Sequence, residues 1–117
     1  GAKAPEDVAT EFITNIYNAK TDDAVAMLYL DEEKEADEKD MMTKKFNGML
    51  PQQKKVIDEQ AGGVKDIKAS EAKLNDKKDK ATVEVTVTFN KEFKGKSSKV
   101  ETVNLKKVKD NWKVSIL

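Results

Sequence analysis

The strongest constraint on the fold is a change of hydrophobic period about halfway along the chain. Near the N-terminus apolar residues recur at the spacing of one helix face, namely Val8, Phe12, Ile13, Ile16 and Tyr17. From Ala81 to Phe89 the period is two, with valines alternating with polar residues, which is typical of a half-buried strand. Helices followed by strands predict an α+β fold, with the helices packed on one face of an antiparallel sheet.

Three to four helices are predicted before the sheet. Pro5-Glu6-Asp7 begins the first, because proline and acids suit the start of a helix. Thr21 is expected to be the N-cap of a short second helix. Pro51 is expected to stop or kink the third helix and can open a fourth, and Gly62-Gly63 closes the helical half. The residues expected to be buried by the third helix are Met42, Phe46, Met49 and Leu50.

The second half predicts a four-stranded meander. We expect a weak, lysine-rich edge strand over Val64–Leu74 and the clearest strand over Ala81–Phe89. Val100–Val108 is the third strand, and the break in its alternation before Val108 suggests a bulge. Trp112–Leu117 is the last strand. The sequence contains no internal repeat and no interdomain linker, so residues 5–117 are predicted to form one domain after a disordered lead-in over residues 1–4, where Gly1 is expected to be a tag remnant.

Three residue types are missing, and their absence limits the chemistry. The chain has no cysteine, no histidine and no arginine, so all 22 basic residues are lysine. Disulfides, thiolate or imidazole metal sites and Ser-His-Asp catalysis are therefore excluded, as are the bidentate contacts that arginine makes with phosphate and guanine. We predict no metal, no cofactor and no nucleic-acid partner, because acids are also interleaved with the lysines and no exposed aromatic pair is expected on the sheet.

Charge is divided unevenly between the two halves. Residues 1–60 hold 8 Lys against 14 acids, a balance of −6, and residues 61–117 hold 14 Lys against 8 acids, a balance of +6. No stretch approaches the ~20 apolar residues that a membrane-spanning helix needs. The acidic run over residues 31–40 lacks the glycine of a calcium-binding loop, and Gly95-Lys96-Ser97 lacks the upstream glycine of a phosphate loop. Both segments are interpreted as solvated surface.

Two segments carry a resemblance to a known superfamily. One is Asn18–Tyr29, which follows an amphipathic helix, and the other is Val103–Val114, which ends in Trp112-Lys113-Val114. Together they resemble the small bacterial domains of the nuclear transport factor 2-like (cystatin-like) superfamily, in particular an uncharacterised group once labelled lumazine-binding-like. The resemblance implies helices packed on a curved four-stranded sheet. It also implies an exported lipoprotein domain, outside the cytoplasm and held at the membrane only by a lipid anchor.

The resemblance further implies a conical pocket between the sheet and the helices, which isomerases, dehydratases and cyclases of the superfamily use with Asp, His or Tyr as acid–base groups. The candidate lining residues here are Phe12, Ile16, Tyr17, Met42, Phe46 and Trp112. The alternative is that these six side chains fill the core. Catalysis would need a carboxylate inside the pocket beside a Tyr17 or Tyr29 donor. We expect Glu84 and Glu101 on the solvent face, so no catalytic residue is predicted.

Three functional hypotheses follow. The first is a non-catalytic module of the cell envelope that binds a small hydrophobic ligand or another envelope protein. The second is an isomerase- or cyclase-type enzyme that uses the same pocket. The third is a structural dimerisation domain, a homodimer in which sheet packs on sheet.

Overall fold

A computed structural model describes residues 2–116 of the chain, so Gly1 and the end of the predicted last strand at Leu117 lie outside the described residues. The described elements, in chain order, are α1 (Pro5–Tyr17), α2 (Thr21–Ala26), α3 (Glu35–Ala61), β1 (Val64–Ala69), β2 (Lys73–Leu74), β3 (Lys80–Phe93), β4 (Lys96–Val108) and β5 (Asn111–Val114). Helices precede strands, and the helices pack on one face of an antiparallel sheet. The predicted α+β class is confirmed.

The sheet is an antiparallel meander in the order β1-β3-β4-β5, and the short β2 pairs with β3 on the same edge as β1. The single edge strand predicted over Val64–Leu74 is therefore divided by residues 70–72. Within this gap the backbone N–H of Ala72 donates to Glu6 Oε2 of α1 at 2.9 Å. At Ala72 the backbone N–H thus bonds to the helix layer and not to a neighbouring strand.

The central hairpin of β3 and β4 is regular for most of its length. Its register is uninterrupted from the Lys80–Lys106 pair to the Thr88–Ser98 pair, so the bulge predicted inside Val100–Val108 is wrong. The irregularity lies at the other end of the hairpin, where residues 89–92 of β3 oppose Ser97 alone on β4. A strand with extra residues bends at that point, and this bend shapes the site described below.

The core lies between the helices and the inner face of the sheet. The sheet contributes buried residues from three strands, which are Ala81, Val83, Val85, Val87, Phe89, Val103, Leu105 and Val114. The helical layer contributes Val8, Ala9, Phe12, Ile13, Tyr17, Ala24, Val25, Met42, Phe46, Leu50, Ile57 and Ala61. The period-two pattern of β3 and the helical pattern of α1 therefore mark the core correctly.

Helix α3 runs continuously through Pro51 over 27 residues, where the sequence indicated a stop or kink and a further helix. Proline removes one backbone N–H and one helical hydrogen bond. Buried Phe46 and Leu50 precede it and buried Ile57 and Ala61 follow it, so one apolar face extends past the proline. Burial of this face offsets the missing hydrogen bond, since tertiary packing supplies most helical stability in proteins.

The end of α3 is tied to β3. Gly62 is the C-cap in the left-handed conformation, with φ of 69°, as the Gly62-Gly63 prediction requires. The side chain of Asn90 donates to the Gly62 carbonyl at 2.8 Å, and the backbone N–H of Asn90 donates to the Gly63 carbonyl at 3.0 Å. Asn90 lies within the β3 irregularity, so the bend and the helix end hold each other in place.

Thr21 is not the N-cap that the sequence indicated. It is the first residue of α2 and follows Lys20, which occupies the cap position. Its side chain is buried, and its Oγ1 has no hydrogen-bond partner among residues 2–116. Thr21 is therefore a buried residue of α2 and not its cap.

The far edge of β5 is covered by the segment after α2. The N–H of Val114 donates to the Met27 carbonyl at 2.8 Å, and the N–H of Tyr29 donates to the Val114 carbonyl at 2.7 Å. Leu28 thereby forms a parallel bridge to Val114. This end of the sheet is closed by backbone hydrogen bonds on both sides of β5.

Candidate functional site

A groove opens between the C-terminal half of α3 and the tip of the β3–β4 hairpin. Its volume is about 580 Å³. We call it the hairpin groove, and its lining residues are Met49, Gln52, Gln53, Val56, Phe89, Phe93, Lys94, Lys96, Ser98 and Lys99.

The helical wall of the hairpin groove is one face of α3. Met49, Gln52, Gln53 and Val56 are spaced by three, one and three residues, which places them on one side of the helix. Met49 was predicted to be core, but its exposed fraction is 46%, whereas the adjacent Leu50 is 1% exposed. Consecutive helical residues point in directions about 100° apart, so only Leu50 faces the sheet.

The sheet wall is built by the bend in β3 and by a tight turn. The rings of Phe89 and Phe93 lie 5.4 Å apart between centroids and are tilted by 58°. Lys94 and Gly95 form the two-residue turn and both have positive φ, 52° and 80°, as a type I′ hairpin requires. The turn places Lys94 Nζ 5.3 Å from the centroid of the Phe93 ring. An aromatic floor with a cation above it results.

The rim of the hairpin groove is positively charged. Three of its ten lining residues are the lysines Lys94, Lys96 and Lys99, and none of these ten described residues is an acid. Of the three lysines, only Lys99 has a carboxylate within 4 Å among residues 2–116, since its Nζ lies 3.6 Å from Glu101 Oε2. A concave, partly apolar surface lined by one sign of charge attracts ligands of the opposite sign.

Glu101 corrects an expectation about the sheet. It pairs with Val85 and therefore lies on the inner face, whereas the sequence placed it toward solvent. Its phase with the buried Val103 and Leu105 is the signal that was missed. Glu84 does lie on the outer face, where the Thr102 hydroxyl donates to both of its carboxylate oxygens at 3.1 and 3.0 Å.

Glu101 is held by a buried tyrosine. The Tyr17 hydroxyl donates to Glu101 Oε2 at 2.5 Å, and the Tyr17 side chain is buried. The pKa of Tyr17 is raised above its ordinary value, first because burial disfavours the charged phenolate, and then because the hydrogen bond and the negative charge of Glu101 favour the protonated form. The Glu101 side chain is 26% exposed, so this polar pair lies at the margin of the core.

The six pocket residues predicted from the resemblance do not line the hairpin groove. Phe12, Tyr17, Met42 and Phe46 are buried in the core, and Ile16 is partly buried against it. Trp112 lies on β5, where it lines a separate depression of about 330 Å³ together with residues from the start of α1 and from the segment after α2. The first four therefore belong to the core, Ile16 and Trp112 both pack against it, and Trp112 also lines the depression.

A larger cleft of about 930 Å³ lies at the closed end of the sheet, between the acidic segment before α3 and the β4–β5 hairpin. We call it the closed-end cleft. Its charged lining residues are four acids and four lysines, namely Asp31, Glu32, Glu33, Glu35, Lys39, Lys106, Lys107 and Lys113. Two of these lysines lie near aromatic rings, with Lys106 Nζ 4.3 Å from the centroid of the Tyr29 ring and Lys107 Nζ 5.8 Å from that of the Trp112 ring. The balanced charges give this cleft no preference for either sign, so the hairpin groove is the better candidate despite its smaller volume.

The described part of the chain has neither a cluster of metal-ligating side chains nor a helix that could span a bilayer. Among residues 2–116 no three acidic side chains converge as a metal ion would need. None of the helices within the same range is both long enough and apolar enough to cross a bilayer.

Comparison with known proteins supports the fold and names a family. A crystal structure from Campylobacter jejuni, named a "Putative NTF2-like transpeptidase", is similar with 28% sequence identity and a TM-score of 0.79, over 98% of this chain and 100% of that chain. The nuclear transport factor 2-like fold predicted from Asn18–Tyr29 and Val103–Val114 is confirmed. No curated protein matches the chain. The family described as "Domain of unknown function (DUF4878)" matches residues 1–115, and the chain belongs to that family.

Proposed function

We propose that this chain is a non-catalytic binding module that takes a small amphiphilic anion in the hairpin groove. One observation carries the proposal, which is the combination of an aromatic floor with three lysines and no acid among the ten described lining residues. Ligand sites are usually concave and mostly apolar, with a few polar groups that fix orientation. The groove has that composition.

The dimensions and the chemistry of the groove indicate the ligand class. A volume of about 580 Å³ lies within the range of about 300–1,000 Å³ that is usual for small-molecule sites. Phe93 and Val56 offer apolar surface to a hydrocarbon body, and the flexible side chain of Met49 adapts to its shape. Lysine ammonium groups act as point charges toward a carboxylate or phosphate head, without the fixed geometry of arginine.

Calorimetric titration with two ligands of matched tail length tests the proposal. We expect decanoate to bind, and the decyltrimethylammonium cation to bind at least about tenfold more weakly, because the rim lysines attract one head group and repel the other. Lys96→Glu should weaken decanoate binding by about tenfold or more. Lys80→Glu is the matched control, since Lys80 begins β3 at the opposite end of the hairpin, and it should leave the affinity within about twofold.

Equal affinity for the anionic and the cationic ligand would contradict the proposal. So would an affinity that Lys96→Glu and Lys80→Glu reduce to the same extent. Phe93→Ala separates the apolar contribution, and we expect it to weaken both ligands because it removes part of the floor.

We also propose that the module acts in the bacterial cell envelope, where a second envelope protein could present the ligand. Support comes from the resemblance to exported lipoprotein domains. Fractionation of cells that express the full-length natural protein tests the location. Recovery of the protein solely in the cytoplasmic fraction would contradict it.

Catalysis by the Tyr17–Glu101 pair is the second candidate function. A buried phenol next to a partly exposed carboxylate is the arrangement that an isomerase- or cyclase-type mechanism needs, with Glu101 as base and Tyr17 as donor to a developing enolate. The two groups bond each other here, so a substrate would have to displace that contact. Transpeptidation, named for the Campylobacter jejuni protein, uses an activated nucleophile. Because this chain has neither cysteine nor histidine, that chemistry would need a serine or threonine nucleophile with a lysine base.

Turnover assays with β-keto acids and their esters test this second candidate. Any isomerisation should be lost in Glu101→Gln, which removes the base while keeping the shape of the side chain. Turnover that persists in Glu101→Gln would exclude the pair as the catalytic groups.

A further inference from the structure

Half of strand β4 has a partner on one side only. β3 pairs with β4 down to the hairpin tip, but β5 pairs only with Leu105–Val108 on the other side, and one further bond joins Ser115 N–H to the Asn104 carbonyl. Among residues 2–116, no strand pairs with that side of residues 96–103. An edge of this kind is a template for another strand.

The direction of the free backbone groups follows from the bond at Asn104. Its carbonyl points toward β5, and in a strand every second residue presents its N–H and C=O to the same side. Ser98, Val100 and Thr102 therefore present their N–H and C=O groups to the open side. Val100 is also among the large apolar residues most exposed to solvent, at 56%.

We propose that two copies of this chain pair antiparallel along this edge, centred on Val100. In that register the two Val100 residues lie opposite each other on the outer face. On the inner face, Lys99 of each protomer lies opposite the partner's Glu101, twice over by symmetry. Opposite charges and apolar pairs at directly opposed positions stabilise antiparallel strands.

The neighbouring registers are disfavoured by charge. A pairing centred on Lys99 would place two lysines opposite each other, and one centred on Glu101 would oppose two glutamates. Like charges at opposed positions destabilise strand pairing. Lysines on an edge strand often prevent such pairing. In the register centred on Val100, however, Lys99 lies opposite a carboxylate, that of the partner's Glu101.

The edge is a better interface than the face of the sheet. On the outer face, β3 presents Thr82, Glu84, Thr86 and Thr88, and the Glu84 carboxylate is hydrogen-bonded to Thr102. A face-to-face dimer would bury these polar groups against a second polar surface. Edge pairing leaves them in solvent and joins the two sheets into one.

A pair of charge-reversed variants tests the register. In a dimer of Lys99→Glu, a glutamate lies opposite a glutamate at two positions. In a dimer of Glu101→Lys, a lysine lies opposite a lysine at two positions. Each variant should therefore dimerise about tenfold or more weakly than wild type in analytical ultracentrifugation. An equimolar mixture of the two variants should form the heterodimer, because every opposed pair is then complementary. Wild-type protein that stays monomeric at millimolar concentration, or a mixture no more dimeric than its components, would overturn the proposal.

Cysteine crosslinking tests the same interface without altering Glu101, whose contact with Tyr17 contributes to the fold. The chain has no cysteine of its own. Val100→Cys places two thiols on residues whose Cα atoms are about 5.5 Å apart in the proposed pair, within disulfide range. Thr86→Cys is the control, since Thr86 pairs with Val100 one strand further from the interface. Under mild oxidation only Val100→Cys should form a covalent dimer, and equal or absent crosslinking in the two variants would overturn the proposal.

Discussion

The two ends of the β3–β4 hairpin differ in their pairing and in their surroundings. At the closed end, β5 and Leu28 extend the sheet, and Leu105 and Val114 are buried under the helices. At the open end, β4 lacks a second neighbour among the described strands, and Lys96 and Lys99 line the hairpin groove. Layered packing therefore covers one end and leaves the other exposed.

The irregularity at residues 89–92 lies within the open end, next to the hairpin tip. It bends β3 toward α3, and Asn90 within it binds the carbonyl of Gly62 at the helix end. Bulges commonly occur beside functional sites, where they redirect side chains. Here the bend places Phe93 and the turn lysine Lys94 over the second half of α3.

The largest expected effect is a difference in the free energy of unfolding between a substitution at the closed end and one at the open end. Leu105→Ala should lower the free energy of unfolding by about 3 kcal/mol, because Leu105 is 2% exposed and its removal leaves a cavity at the closed end. Val100→Ala, on the same strand at the open end, should change it by less than about 0.5 kcal/mol. Urea denaturation measures both free energies. Comparable losses of stability in the two variants would contradict the difference in packing between the two ends.

The second effect is a pH dependence of the stability, which arises from the contact between Tyr17 of α1 and Glu101 of β4. The pKa of Tyr17 is raised in the folded protein, so the folded state holds this proton more tightly than the unfolded chain does. The stabilisation is complete below the ordinary tyrosine pKa of about 10 and is lost as the pH rises above it. Relative to Tyr17→Phe, wild-type protein should lose about 1.4 kcal/mol of stability per pH unit in that window.

Denaturation of wild-type protein and Tyr17→Phe at several pH values from 8 to about 11.5 isolates this proton from the lysines, which titrate in both proteins. Below pH 9, Tyr17→Phe should be less stable by about 1.5 kcal/mol, because it loses the hydrogen bond to the Glu101 carboxylate. Parallel pH profiles for the two proteins would show that Tyr17 is not protected by the fold.

The smallest expected effect compares Gly48, inside α3, with Gly62, its C-cap. Gly62→Ala should destabilise the protein by about 1 kcal/mol, because its φ of 69° disfavours any residue with a Cβ. Gly48→Ala should stabilise it by about 1 kcal/mol, because a Cβ there meets no atom within 4 Å and alanine suits a helix interior. Thermal unfolding gives both values, and shifts of the same sign would contradict the assigned role of Gly62.

The layered fold could be predicted from residue spacing, because burial repeats with the period of each element. Val83 and Val85 on β3 and Phe12 on α1 illustrate this. The open end was harder to predict, because its groove depends on a bend whose residues, from Phe89 to Glu92, carry no strong turn signal. Glu101 was misassigned because charge was given more weight than its phase with Val103. Whether a ligand contacts the six predicted pocket residues remains a prediction.

The proposed binding of an anion in the hairpin groove is tested most directly by an NMR titration of the ¹⁵N-labelled chain with decanoate. We expect saturable amide shifts confined to the hairpin groove, at residues such as Met49, Phe93 and Lys96, and no comparable shifts around Tyr29 and Lys106 in the closed-end cleft. Shifts confined to the closed-end cleft, or no saturable shifts at any residue, would contradict it.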